Sequence, residues 1–453
     1  MQQVTKTLAE CINNTTINDI PSDVIEHAKI MIIDTIGVTL VGADTDTAKK
    51  ANNRLGWSTD DAVDSSAHVF GTGETASPAH ASFLNGIAAH ALDFDDVHKT
   101  MGGHPSASVL PPVLSVAEVI NADGADVIRS FVLGVECELL LADVLNPSHY
   151  DRGWHPTAIF GHIGAGVAVA SLFNLDTDGI RRTIGIATSQ ASGVKGNFGT
   201  MTKPYHVGKA ARSGIEAAQL ARSGFTANKN ILELDFGGFC DLFKGEDGYR
   251  FDDHLANFGD EWRLISPPVN FKSYPCCGST HIPIDIALEM RDEYPIEYND
   301  INRVEITEHP RRLAHTNIPH PESDLEAKFS VQYAVATALR KGDIWIDDFT
   351  IDSVTDTSTQ QFLKSVEVNA DETLGDDRDR YARIDIEAKG KTYSQEMDDR
   401  RLRGKDEVLD KFHRCVRFSS VEADAETVIS KLDGLESVTD IRSIISDLTL
   451  NDK

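Results

Sequence analysis

"GHIGAGVAVASLF", residues 161–173, is the stretch on which the fold turns. Glycine and alanine fill six of its thirteen positions, and His162 and Ser171 are its only polar residues. It is apolar on every side, so no face is left for water. A helix of that texture is central and packs closely against other helices. Working outward, apolar residues recur at helical spacing over 24–41, 81–92, 109–120, 127–145, 159–173 and 208–223. The first of these follows a Pro-Ser-Asp start at 21–23. No fixed repeat period links them, so they predict one buried helical core and not a repeat array.

After about residue 262 the texture changes. "RVEITEH" (303–309) and "SVEVNAD" (365–371) alternate as strands do, and "YARIDIEAKGKTYSQEM" (381–397) reads as a hairpin turning at Lys389-Gly390. "EAKFSVQYAVATALRKG" (326–342) reads as a helix that stops at Gly342. From Gly404 the chain is helical again, through "KDEVLDKFHRCV", "DAETVISKLDGL" and "VTDIRSIISDL". The expected fold class is mainly α with an α+β second domain. Residues 1–264 and 400–453 form a large helical domain built from both chain ends, with 265–399 inserted as a smaller α+β domain. A cleft between the two is a natural place for an active site.

Bulk properties narrow the function. With 453 residues the chain exceeds one ordinary core. A net charge of −28 argues against nucleic acid or an anionic membrane as partner, and raises the hypothesis of a high-salt cytoplasm that screens the acidic surface. No run of 18 apolar residues occurs, and the opening "MQQVTKTLAECINN" lacks a charged segment followed by an apolar one, so a cytoplasmic protein is expected. Six scattered cysteines without a CxxC pattern fit reduced thiols and speak against a cysteine-built zinc or iron–sulfur site.

Three stretches depart from the acidic background. Residues 97–117, 179–215 and 262–284 hold no Asp or Glu, but carry lysines, arginines and histidines among Gly, Pro and Ser. They suggest one cationic pocket for a small polyanion, a carboxylate first of all. Four segments carry the chemistry. "HALDFDDVHKTMGGHPSASVLP" (90–111) offers Asp93 at a helix end and His104 beyond it, since a carboxylate can orient a histidine for acid–base work. Asp95, Asp96 and His98 read as solvated charges at a helix terminus. "HYDRGWHPTAIF" (149–160) sets His155 before Pro156 at a helix start, flanked by Tyr150 and Arg152. "GNFGTMTKPYHVGKAARSG" (196–214) holds Lys203 beside Pro204, with His206 following and a helix from Gly208, without phosphate-loop spacing. "FKSYPCCGSTH" (271–281) brackets two cysteines with Lys272 and His281.

In this order the segments resemble the MmgE/PrpD family, together with "EAKFSVQYAVATAL" (326–339). The resemblance covers roughly residues 20–345. It implies a helical domain from both chain ends, an α+β lid, a homodimer, and catalysis without metal, nucleotide or other cofactor. It also implies a lyase such as 2-methylcitrate dehydratase or cis-aconitate decarboxylase, or an epimerase of iminodisuccinate type. Its catalytic residues fall on Asp93, His104, His155, Lys203 and Lys272. Decarboxylase members carry a histidine where Cys277 stands and a threonine at Val97. Both departures favour dehydration of a 2-hydroxy polycarboxylate, 2-methylcitrate or citrate. Tyr150 with Lys203 matches the epimerase pattern. Arg152, His206, Cys277, His281 and His315 complete the expected substrate-binding set, and no metal ligand set is expected.

Overall fold

A computed structural model describes residues 3–54, 66–246, 248–375, 378–399 and 401–450. The chain divides into two compact units, one of residues 1–91, 95–271 and 404–453, the other of 92–94 and 272–403.

The first unit is helical. Its main helices are α1 (Ser22–Gly42), α2 (Pro78–His90), α3 (Pro105–Ile120), α4 (Gly124–Leu145), α5 (Pro156–Leu172) and α6 (Thr202–Arg222). Every residue of α5 is buried, as the opening stretch predicts. The helix is wrapped by α3, α4 and α6, and α6 also lies along α2. Small residues set those approaches. A Cβ at Gly214 of α6 would stand 2.5 Å from the Ala165 Cβ of α5. The apolar helices merge into one continuous core, which the Lys405–Phe418 helix of the chain's end joins through Val408, Phe412 and Val416.

Helix α6 starts six residues earlier than its sequence suggests. Pro204 is tolerated in a first turn, because the N–H it lacks would have no partner in the helix there. Lys203 therefore sits inside the first turn, 5% exposed, and not ahead of it.

The second unit is α+β. Helices α7 (His281–Glu293) and α8 (Val331–Lys341) pack on a four-stranded sheet of β1 (Ile301–Glu308), β2 (Val366–Ala370), β3 (Ala382–Ala388) and β4 (Lys391–Met397). The strand order is β2-β1-β3-β4, parallel for the first pair and antiparallel for the others. Val304, Ile306, Ile384 and Ile386 point into one apolar core, the period-2 alternation visible in the sequence. Lys389 and Gly390 both have positive φ, as a two-residue hairpin turn needs. Helix α8 ends at Gly342, which is left-handed. Among the described residues no helix is long and apolar enough to cross a membrane.

Candidate active site

In the helical unit a carboxylate and four imidazoles meet where three helices begin or end. His90 is the last residue of α2. His104 precedes Pro105 as the N-cap of α3, and His155 precedes Pro156 as the N-cap of α5. The two caps are tied down: the His104 N–H donates to Thr157 Oγ1 at 2.9 Å, and the His155 N–H to the Gly193 carbonyl at 3.1 Å. His206 comes from the first turns of α6, its Nδ1 3.2 Å from His155 Nδ1.

Asp95 joins two of these rings. Its Oδ2 lies 2.7 Å from His90 Nδ1 and 3.3 Å from His104 Nδ1. An ionised carboxylate only accepts, so His90 Nδ1 is the protonated nitrogen and its Nε2 keeps the lone pair, while His104 Nδ1 lies within ion-pair reach of the same oxygen. The His90 and His104 rings stand 4.6 Å apart and nearly perpendicular, and His155 is 5.9 Å from His90. Burial pushes His90 down to about 4, with Lys203 adding to the effect and Asp95 opposing it. Burial, then His90 and Lys203, hold His155 well below the usual histidine range. His206 is lowered by burial and by Lys203. Burial works to raise Asp95, but the imidazoles outweigh it and keep it well below the usual carboxylate range. The group is thus a buried cluster in which His90, His155 and His206 are held towards the neutral form beside the Asp95 anion, with the Lys203 ammonium 5.0 Å from the Phe198 ring against which His155 also packs.

These distances correct one expectation. Asp95, Asp96 and His98 are not solvated: the aspartates are fully buried and His98 is 2% exposed. Asp96 accepts the Ser106 N–H at 3.3 Å and caps α3. His98 accepts from the Met101 N–H through Nδ1 and donates through Nε2 to the Pro267 carbonyl at 3.0 Å, which pins the loop. The histidine-orienting part that the sequence assigns to Asp93 is taken at His90 by Asp95. His162 packs inside α5 on the Ala158 carbonyl. His90 and Asp95 escape a spacing rule because they pair across a turn of irregular backbone.

The α+β unit holds a second buried pair. The Lys272 ammonium, 1% exposed, reaches Asp93 Oδ1 at 2.5 Å and the Asp93 carbonyl at 2.6 Å. Asp93 adopts a left-handed backbone, φ 52°. Next along the chain, Cys277 is buried and its N–H donates to the Lys328 carbonyl at 2.9 Å. Burial pushes the Cys276 thiol up to about 12, which removes it as a nucleophile. His281 opens α7 against the Tyr274 ring, whose hydroxyl donates to Asp285, and His315 lies 3.2 Å from Ser279 Oγ.

Two expected substrate contacts have other occupations. The Arg152 side chain is exposed and donates to the Lys244 carbonyl at 2.9 Å. Tyr150 is half-buried with the Lys195 ammonium 3.3 Å above its ring.

Comparison with known proteins identifies the family. The MmgE/PrpD N-terminal domain model matches residues 6–252 and the MmgE/PrpD C-terminal domain model residues 274–433. Cis-aconitate decarboxylase of Mus musculus is 28% identical over 100% of this chain and 95% of its own length. The enzyme of that name from Homo sapiens is 30% identical over 81% of this chain and 77% of its own, and that from Aspergillus terreus 29% over 74% and 71%. The two matched domains together span most of the sequence, the relatives named here are lyases, and the chain belongs to the MmgE/PrpD family.

Proposed function

We propose that the protein is a lyase that dehydrates a 2-hydroxy polycarboxylate, 2-methylcitrate or citrate, to the cis-aconitate-type product without metal or organic cofactor. The observation that carries this reading is the Asp95 carboxylate placed between His90 and His104, in a buried cluster where His90 stays neutral. A proton next to a carboxylate is weakly acidic, because the carboxylate must take up further negative charge. A neutral imidazole with a fixed lone pair is a suitable base for it. In this reading one Asp95-oriented histidine, His104, takes the proton. The electron pair of the C–H bond becomes the new double bond, and the hydroxyl leaves as water with the proton that His104 took, which restores the neutral ring, while His155 is assigned to hydrogen-bond the hydroxyl. Lys203 offsets the charge that develops on the substrate carboxylate. Lys272, held by Asp93, is assigned the same task for a second carboxylate on the strength of the family pattern. His206, Cys277, His281 and His315 are assigned to substrate contact, and the lid, the homodimer and a cytoplasmic location belong to the same reading.

A second reading, decarboxylation of cis-aconitate, is supported by the relatives that bear that name. Metal-free full-length protein is offered 2-methylcitrate, citrate and cis-aconitate, at low and high salt. The conjugated double bond is followed by ultraviolet absorbance and carbon dioxide is collected. Rising absorbance on a hydroxy acid without gas supports dehydration. Carbon dioxide from cis-aconitate transfers the assignment to the decarboxylase, and silence on all three overturns both.

A further inference from the structure

The "EAKFSVQYAVATAL" stretch is only partly helix: α8 starts at Val331, with Ser330 as its cap, and Lys328 lies before it. Lys328 is 4% exposed and, among the described residues, has no carboxylate in hydrogen-bond contact. Its ammonium instead donates to the Pro275 carbonyl at 2.9 Å and reaches the Leu92 carbonyl at 3.4 Å. It also stands 4.7 Å over the Phe349 ring. Its own carbonyl accepts the Cys277 N–H. Two carbonyls and a ring face thus occupy its three N–H directions, and no donor is left over for a substrate. A buried ammonium with neutral partners is costly. A methionine of similar length would fill the same space without that cost.

What the ammonium joins is specific. Leu92 immediately precedes Asp93, and Pro275 and Cys277 follow Lys272 in the next turn. We propose that Lys328 is a positioning residue: it ties the 92–94 segment to the 275–277 turn, so that the Asp93 carboxylate and the Lys272 ammonium meet in one fixed geometry. The proposal rests on the reading that this pair serves the reaction. The charged and titratable groups around Lys328 are Cys276, Asp93, Asp324 and Lys272. Burial is the largest influence and brings the amine down to about 8, with Lys272 acting the same way and the thiol and the two carboxylates opposing. The tie is therefore charged at neutral pH and weakens as pH rises through that value.

The test is Lys328→Met in the full-length protein, with three readouts. The melting temperature is expected to hold or rise, since a buried charge whose hydrogen-bond partners are neutral is removed. On whichever polycarboxylate the wild type turns over, kcat is expected to fall on the order of 10²-fold with little change in KM, the scale of a reacting group displaced by about 1 Å. The wild type should lose rate as pH rises through about 8, and the variant should lack that alkaline limb. A variant with wild-type kcat, a variant that keeps the limb, or one that loses activity only in step with its melting temperature overturns the proposal. If the wild type turns over none of the acids, the functional reading fails separately and a crystal structure of Lys328→Met decides. An opened Asp93–Lys272 contact supports the tie, and an unchanged contact overturns it.

Discussion

Asp95 in the helical unit and Asp93 in the α+β unit lie two residues apart in the chain and are both buried against nitrogen, with opposite electrical results. Asp95 meets two imidazoles in a dry cluster, and His90 there gives up its charge. Asp93 meets the ammonium of Lys272, directly through its carboxylate. The difference teaches that burial against nitrogen has an outcome set by the nitrogen. An imidazole loses its proton on burial at modest cost, because its ordinary titration lies near neutrality, whereas a lysine amine starts several units higher and holds its proton when a carboxylate is at hand.

The sharpest way to break the comparison is Asp95→Asn. The amide keeps the shape but can donate to either ring, so the Nδ1–H tautomer is no longer enforced. A fall in kcat on the order of 10²–10⁴-fold with a folded protein is expected. Wild-type turnover would remove Asp95 from the mechanism. Lys203→Ala comes next, with an expected loss on the order of 10²–10³-fold. Circular dichroism should show the fold retained, and unchanged kinetics would end the charge-stabilising role.

The pH dependence of stability sharpens the contrast. His90 titrates near 4 in the folded protein and near 6.5 when unfolded. The unfolded state binds more protons in that window, so His90 contributes stability that is complete above about 6.5 and is lost as pH falls through about 4. Urea melts of wild type and His90→Gln across that range should show a shallower acid loss in the variant, and parallel curves would contradict neutral burial of the ring. Gly208→Ala tests the scaffold alone. A Cβ there would press on the Phe83 carbonyl and lie 2.8 Å from Ile87 Cγ1, so a loss of about 1–3 kcal/mol in stability is expected. The smallest effect is assigned to Arg152→Ala, whose exposed side chain serves the Lys244 carbonyl. It should leave kcat/KM within about twofold, as exposed polar contacts commonly do. A large rise in KM would support the substrate contact expected of Arg152.

What could be read in the sequence follows from where the signal is local. The all-apolar α5, the period-2 strands and the Lys389-Gly390 turn are dictated by neighbours a few residues away, and they appear as expected. The start of α6 did not, because Pro204 and the glycines around it resemble loop punctuation until the first turn is seen. The acidic run 93–96 misled for a different reason. Asp95 and Asp96 beside Asp93 look like solvated surface, and only tertiary contacts reveal that each has its own buried partner: His90 with His104, and Ser106. Lys272 and His104 stood out as chemistry in the sequence. Asp95 and Lys328 did not, since nothing near them in the chain declares what they hold.

The left-handed backbone of Asp93 has a consequence for how this position can drift over generations. Glycine would suit the conformation and lose the charge. Asparagine would suit the conformation and turn the carboxylate into a neutral amide. Glutamate would keep the charge but carry roughly 1–2 kcal/mol of backbone strain and place its oxygens one methylene further out. Each single replacement fails on either shape or charge, so the position is closed to stepwise exploration, and new specificities would have to arise from neighbours whose backbones are ordinary.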